Sequence, residues 1–435
     1  MILVDTALDR RESEGNPIRV GLVGAGYMGR GVALQFSTPL PGMRLVAIAN
    51  RTLSEANRAY LEAGIESVKT VATVSQMEKA IQDGRFAITH DPALLCEAGS
   101  IDAIIEATGE IEFGARVVLK AVENGKHVIL MNVELDATVG PILKVYADRA
   151  GVIITNADGD EPGVAMNLYR FVKTIGFKPV LAGNLKGMID PYRTPETQRE
   201  FAARYNQKPR PITSFADGTK LSMETTVLAN ATGFKVGKRG MFGHRCAHVK
   251  ETLEHFPLEL FKEGGLVDYI LGAEPHTGAF VIGYNDHPIK RQYMSYFKMG
   301  DGPLYVFYTP YHLPNFQIAT TVARAVIFHD ATVAPLGKPS CDVITMAKRN
   351  LKKGDVLDGI GGFTCYGMID NSEVCQKEGL LPMGLAEGCR LKKDIEIDQT
   401  IAYSDIELPE GRLCDKLRGE QNAHFGMLQE KEASK

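Results

Sequence analysis

A lysine and a carboxylate one helical turn apart, in a run of otherwise small and apolar residues, are the first groups in this chain whose types and spacing suggest chemistry. The segment from Thr219 to Asn230 predicts a helix that sets Lys220 and Glu224 on one face. An exposed ion pair of this kind is common and worth less than about 1 kcal/mol. The segment is apolar enough to be buried, however, which makes Asp217, Lys220, Glu224 and Asn230 buried polar groups in need of partners. A bound ligand would supply those partners. A second acidic group, Asp158, Asp160 and Glu161 ahead of Pro162, reads two ways. It is either the capped, solvated start of a helix or a loop overhanging the strand ends where sites of open α/β sheets form.

The elements that must position such groups begin near the N-terminus. Ile18 to Val23 is a short apolar strand that runs into Gly24-Ala25-Gly26-Tyr27-Met28-Gly29, and an amphipathic helix, Arg30 to Ser37, follows before Pro39. Strand, G-x-G-x-x-G and helix in that order predict a dinucleotide site. The first glycine makes the tight turn, the second admits the pyrophosphate and the third lets helix and strand pack closely, with the phosphates at the helix N-terminus. Tyr27 and Met28 belong to the same loop. The next strand, Met43 to Ala49, ends at Asn50-Arg51-Thr52, where a ribose-binding residue is expected. An NAD-selective site places a carboxylate there. Asn50 removes that charge, and Arg51 with Thr52 suits a 2′-phosphate, so the sequence favours NADPH.

Strands and helices go on alternating: helices at Ser54 to Ala63 (Ser54 as N-cap), Ser75 to Gly84 (opening on a capping box) and Gly114 to Asn124, and strands at Ile101 to Ala107, His127 to Met131 and Val152 to Thr155. Thr108-Gly109 and Asn132 follow strand ends, where small residues let the backbone approach a nicotinamide. This is an α/β chain with a Rossmann doubly wound parallel sheet over residues 1–156. A helix near 316–330 returns to that domain, and its Arg324 is either a surface charge or a phosphate contact. Residues 157–315 form an α+β catalytic domain. Residues 340–410, with short strands and Lys-Lys-Gly-Asp turns, form a small β-rich domain. The charged stretch 411–435 reads as a loosely attached end. His244, His248 and His276 match no zinc spacing and read as ordinary histidines.

The 435 residues carry a net charge of −4, which argues against a nucleic-acid partner held by bulk electrostatics. No apolar run approaches the roughly 18 residues that span a bilayer, and residues 1–16 lack a signal-peptide core. Seven cysteines with no C-x-x-C pair argue against a disulfide framework or zinc–thiolate site and for a reducing cytoplasm. A homodimer is the default assembly.

The layout resembles the homoserine-dehydrogenase-related NADP oxidoreductases that end in a SAF-type domain, and among them the 1-deoxy-D-xylulose 5-phosphate reductoisomerase-like (DXR-like, DRL) family. The segments that carry the resemblance are Val20 to Gly29, Ala157 to Gly163, Ser214 to Lys220, Ala229 to Gly233, Thr309 to Leu313 and the C-terminal module with its opening Ala347 to Asp355. The resemblance implies NADPH-dependent conversion of a linear sugar phosphate, 1-deoxy-D-xylulose 5-phosphate, to 2-C-methyl-D-erythritol 4-phosphate in isoprenoid synthesis. It further implies Lys186 and Lys220 as groups that polarise a carbonyl or shuttle protons, acting with Asp217 and Glu224. Asp160, Arg193, Asn230 and Arg324 would contact substrate, the two arginines at its phosphate. A divalent cation, Mg²⁺ or Mn²⁺, would draw on Asp158, Asp160, Asp217 and Glu224. Two other readings stay open: an NADP-dependent dehydrogenase of another substrate, homoserine-dehydrogenase-like and without isomerisation, and a non-catalytic NADP- or sugar-binding protein.

Overall fold

Short β-branched runs, each followed by a helix, build the first of two units in the computed structural model, which describes residues 3–427. This unit comprises the chain up to Asp136, Ile142–Asp160 and Leu313–Ala334. Its strands are β1 (Ile18–Val23), β2 (Met43–Ala49), β3 (Val68–Thr70), β4 (Phe86–Thr89), β5 (Ala103–Glu106), β6 (His127–Leu130) and β7 (Ile154–Asn156). They form one parallel sheet in the order β3-β4-β2-β1-β5-β6-β7. The strand order reverses at β1, so the glycine loop lies at the switch point, where ligands of doubly wound sheets bind. Residues Ile318, Val322 and Ala323 of the helix Pro314–Phe328 are buried in this unit's core, so that segment belongs to the nucleotide-binding fold although it comes much later in the chain.

Several helix boundaries differ from the sequence reading. The helix after β1 runs Tyr27–Ser37, three residues longer at its start, because Gly29 already sits inside its first turn. The helix expected from Ser75 begins at Val74. Thr73, with extended backbone, accepts a hydrogen bond from the Gln76 amide at 3.2 Å and is the cap in place of Ser75. The helix expected from Ser54 begins at Leu53 behind Thr52, so Ser54 lies within it.

The second unit comprises Ala137–Pro141, Glu161–His312 and the chain from Pro335. Its main sheet holds β8 (Lys178–Lys186), β9 (His244–Arg245), β10 (Leu266–Leu271), β11 (Ala279–Tyr284) and β12 (Leu304–Thr309), in the order β12-β11-β8-β10-β9. The sheet is mixed: β8 pairs in parallel with β10 and antiparallel with β11. Alternation along the strands separates two cores. Ala182, Ala279 and Val281 pack with Val164 and Leu228 of the helices Glu161–Thr174 and Thr219–Thr232, while Leu181, Phe280 and Ile282 pack with Phe256 and Phe261.

Two small antiparallel sheets follow, β13 (Cys341–Ala347) with β14 (Cys365–Asn371) and β15 (Arg390–Leu391) with β16 (Ile406–Glu407). The stretch expected to be loosely attached contains the helix Leu413–His424. Its Arg418 is buried and grips Asp342 of β13 through two bonds, 2.8 and 2.5 Å. Composition misled here because the charges lie on one ordered helix whose Cys414, Leu417 and Gln421 are also buried. The last eight residues of that stretch, 428–435, lie outside the described residues. No described helix is long and apolar enough to cross a membrane.

Candidate active site

The glycine loop is shaped by contacts that admit no side chain. Gly24 has φ +104°, and a Cβ there would stand 2.8 Å from the Ala107 carbonyl oxygen. A Cβ on Gly29 would meet the Gly24 carbonyl oxygen at 2.1 Å, whereas one on Gly26 would meet nothing within 4 Å. The first and third glycines are therefore packing requirements, and the second leaves open space for a pyrophosphate. Tyr27 and Met28 open the helix. Asn50 accepts a hydrogen bond from the Ala25 amide at 3.1 Å and donates to the Thr52 carbonyl at 2.8 Å. Its amide thus ties the glycine loop to the end of β2, beside the exposed Arg51 and Thr52.

A buried carboxylate, absent from the sequence reading, organises the neighbouring strand ends. Glu106 closes β5 and is fully buried. It accepts from the Thr108 amide at 2.9 Å, from the Thr108 hydroxyl, and from Asn132 Nδ2 at 2.8 Å. Burial pushes its carboxyl above the ordinary range, and these bonds oppose that shift. Asn132 also caps the helix Val133–Ala150 by accepting from the Leu135 amide. Thr108, Gly109 and Asn132 thus lie on one braced rim.

In the second unit, Lys186 at the end of β8 lies between two carboxylates that come from different helices. Its ammonium bonds Glu161, from the first turn of Glu161–Thr174, and lies 3.2 Å from Glu224 Oε2 in Thr219–Thr232. Asn184, two residues back on the same strand face, donates to the same Oε2 atoms of both carboxylates, that of Glu224 at 3.4 Å. The carboxylate side chains are 3% and 4% exposed and that of Lys186 is 18% exposed, so the cluster is dry on one side and open at the lysine. Burial drives the Glu224 carboxyl up to about 7; Lys186 and Lys220 pull it down and the Glu161 charge pushes it further up. Burial alone would depress the Lys186 ammonium, but the two carboxylates outweigh it and the net shift is upward. A charged lysine beside two carboxylates, with the Glu224 carboxyl raised to about 7, can stabilise a developing oxyanion and move a proton. Lys220 contributes through its field on Glu224, with its own Nζ 6.0 Å from the Phe215 ring centroid. His312 stands at the edge, its Nδ1 3.7 Å from Glu161 Oε1 and 2.9 Å from the Thr277 hydroxyl.

Other residues expected at the site are occupied elsewhere. Asp217 is fully buried against Lys348, 2.8 Å away, and Lys348 also donates to the carbonyls of Arg193 and Gly362. That closed ion pair joins the helix start to β13's end and leaves Asp217 no lone reactive oxygen, which corrects its catalytic assignment. Asn230, expected at the substrate, accepts from the Ser340 and Cys341 amides and so fixes the start of β13. Arg324 is neither a surface charge nor a phosphate contact. It is buried and pairs with Asp158 at 3.2 Å and Asp330 at 2.8 Å. Arg193 pairs with Asp190 three residues back, and Asp160 is half-buried on the loop after β7.

The expected metal donors Asp158, Asp160, Asp217 and Glu224 do not form a donor set. Asp158 serves Arg324, Asp217 serves Lys348 and Glu224 serves Lys186. Among the described residues, no group of three or more His, Cys, Asp or Glu side chains is placed to hold a metal ion.

Comparison with known proteins follows the same division. Residues 18–130 match the family described as "Oxidoreductase family, NAD-binding Rossmann fold", and residues 159–318 match "Oxidoreductase DRL, catalytic domain". The chain thus carries one segment similar to an NAD-binding Rossmann oxidoreductase domain and one similar to a DRL catalytic domain. It is 29% identical over 140 residues to a homoserine dehydrogenase of Neisseria gonorrhoeae, an alignment covering 32% of this chain and 28% of that protein. With a homoserine dehydrogenase of Methylobacillus glycogenes the identity is 30% over 132 residues, 28% of this chain and 26% of the other. The chain thus spans little more than a quarter of the length of these curated relatives. The solved structure of apo scyllo-inositol dehydrogenase from Lactobacillus casei aligns with 72% of this chain and 89% of its own, at 12% identity and a TM-score of 0.41.

Proposed function

We propose that this chain is an NADPH-dependent reductoisomerase that converts 1-deoxy-D-xylulose 5-phosphate to 2-C-methyl-D-erythritol 4-phosphate. The observation that carries the reading is Lys186 held between Glu161 and Glu224 at the end of β8, within the segment that matches the DRL catalytic domain. Rearranging a hydroxyketone requires that a hydroxyl proton leave and return while negative charge gathers on a carbonyl oxygen. The Lys186 ammonium, kept charged by its neighbours, stabilises that oxygen. Glu224, its carboxyl raised by burial to about 7, takes up the hydroxyl proton and gives it back. NADPH supplies the hydride for the reduction that follows, and one proton drawn from solvent completes the alcohol. The absence of a carboxylate at Asn50, with Arg51 and Thr52 exposed beside it, favours the phosphorylated dinucleotide. No step passes through a metal, since the expected donors serve other partners. The proposal extends to a homodimer in the cytoplasm.

The matches to homoserine dehydrogenases favour a second reading, reduction of a different carbonyl compound without isomerisation. One experiment separates them. Purified full-length protein is given NADPH and 1-deoxy-D-xylulose 5-phosphate, and products are followed by carbon NMR. Coupled NADPH oxidation and appearance of the branched methyl carbon is expected. Turnover of homoserine or a polyol, with no branched product from the sugar phosphate, would overturn the proposal in favour of the second reading.

A further inference from the structure

The Lys186 cluster needs a route by which a proton from solvent reaches it, and one histidine is placed to provide it. Glu161 and Glu224 both direct Oε2 at Lys186 and Asn184. Reduction of a carbonyl by NADPH consumes one proton from solvent per turnover, and the two carboxylates that would deliver it are only 3–4% exposed. The second oxygen of Glu161, Oε1, faces His312 Nδ1 at 3.7 Å, and the His312 side chain is 33% exposed. The Thr277 hydroxyl holds that same nitrogen at 2.9 Å. A hydroxyl both donates and accepts. It can accept from Nδ1–H while the ring carries a proton there, and donate to bare Nδ1 once the proton has passed to Glu161. The ring orientation is thereby kept in both states. The remaining gap is closed by a shift of under about 1 Å or by one bridging water.

We propose that His312, oriented by Thr277, carries protons between solvent and the Glu161–Lys186–Glu224 cluster. In each cycle one proton passes from the imidazolium to Glu161 and on through the cluster to the oxygen of the reduced carbonyl, and the imidazole regains one from solvent, so charge and atoms balance. His312 comes from the segment after β12, which neither general acid–base pattern in the sequence includes. This inference rests on the acid–base role given to Lys186 above, and it is tested by one measurement that needs no substrate and one that does.

The first is hydrogen–deuterium exchange of the Lys186 ammonium and Asn184 side-chain amide protons by nitrogen-edited NMR. In His312→Gln both should exchange at least about tenfold more slowly than in the wild type; equal or faster exchange overturns the relay. The second is steady-state turnover. His312→Gln should lower kcat by about 10²-fold with little change in KM, and added imidazole should restore part of it in proportion to its concentration. Loss of activity without imidazole rescue, in protein with an unchanged melting curve, would show a merely structural ring and overturn the relay. Thr277→Ser should behave as wild type and Thr277→Val should fall between wild type and His312→Gln. If the wild type does not turn over the sugar phosphate, the proposed reaction fails, while the exchange measurement still decides the relay.

Discussion

Two buried lysine–carboxylate sites lie in the same unit and do opposite work. At Lys348 the ammonium is 2% exposed, meets one carboxylate, and places its remaining donors on two backbone carbonyls, all three bonds at 2.8 Å. Charge is balanced and every donor is used. At Lys186 one ammonium faces two carboxylates, remains 18% exposed, and among the described residues bonds only those two groups. The charge is unbalanced, and burial lifts one carboxyl to about 7. A buried pair whose every donor is used holds structure together. An unsaturated one, open at one side, keeps a proton mobile.

The sharpest break between the two sites is in stability. Lys348→Met should destabilise the protein by about 3–5 kcal/mol in urea unfolding, because Asp217 is left as a buried charge without its counter-ion, with the Thr219 amide at 2.9 Å still bonded to it. Asp217→Asn combined with Lys348→Met should recover part of that loss. A change below about 1 kcal/mol in the single variant would remove the distinction.

A smaller effect should appear in pH dependence. The Glu224 carboxyl is raised in the fold from 4.5 to about 7, so between those values the folded chain keeps a proton that the unfolded chain releases. The stability tied to this group is therefore full below about pH 4.5 and lost as pH rises through about 7. Glu224→Gln should flatten that part of the stability profile. It should also remove a limb near pH 7 from the kcat/KM profile. No comparable limb should change in Asp217→Asn.

The smallest effect is expected at the cofactor loop. Arg51→Ala should raise the KM for NADPH about tenfold, equivalent to roughly 1.4 kcal/mol, and leave that for NADH nearly unchanged. Equal effects on both would argue against a 2′-phosphate contact.

The parts of this molecule legible in its sequence are those set by local chemistry. β2 is readable to the residue because an apolar run ends at a turn, and the start of the helix at Thr219 because Lys220, Glu224 and Leu228 recur at helical spacing. The glycine loop was readable because its demands are on backbone shape. The site was only half readable, because its contacts are long-range. Glu224 was seen opposite Lys220 one turn away, but the ammonium bonded to it comes from Lys186, 38 residues earlier in the chain. Asp217 looked reactive because its neutralising lysine lies 131 residues on. Glu161 was read as a helix start or an overhanging loop, and it is both a first-turn residue and a ligand of Lys186. Asn184 and His312 gave no local signal, since neither spacing nor composition marks a residue whose partners come from other elements.

The central claim is that Lys186 serves chemistry and Lys348 serves structure. The most direct test measures kcat, NADPH affinity and urea midpoint on Lys186→Met and Lys348→Met purified side by side. Lys186→Met should lose about 10³-fold in kcat, bind NADPH as the wild type does and unfold between the wild type and Lys348→Met, because its carboxylates lie beside an opening to solvent and the Glu224 carboxyl is raised to about 7. A Lys186→Met protein that retains turnover, or that unfolds as early as Lys348→Met, would contradict it.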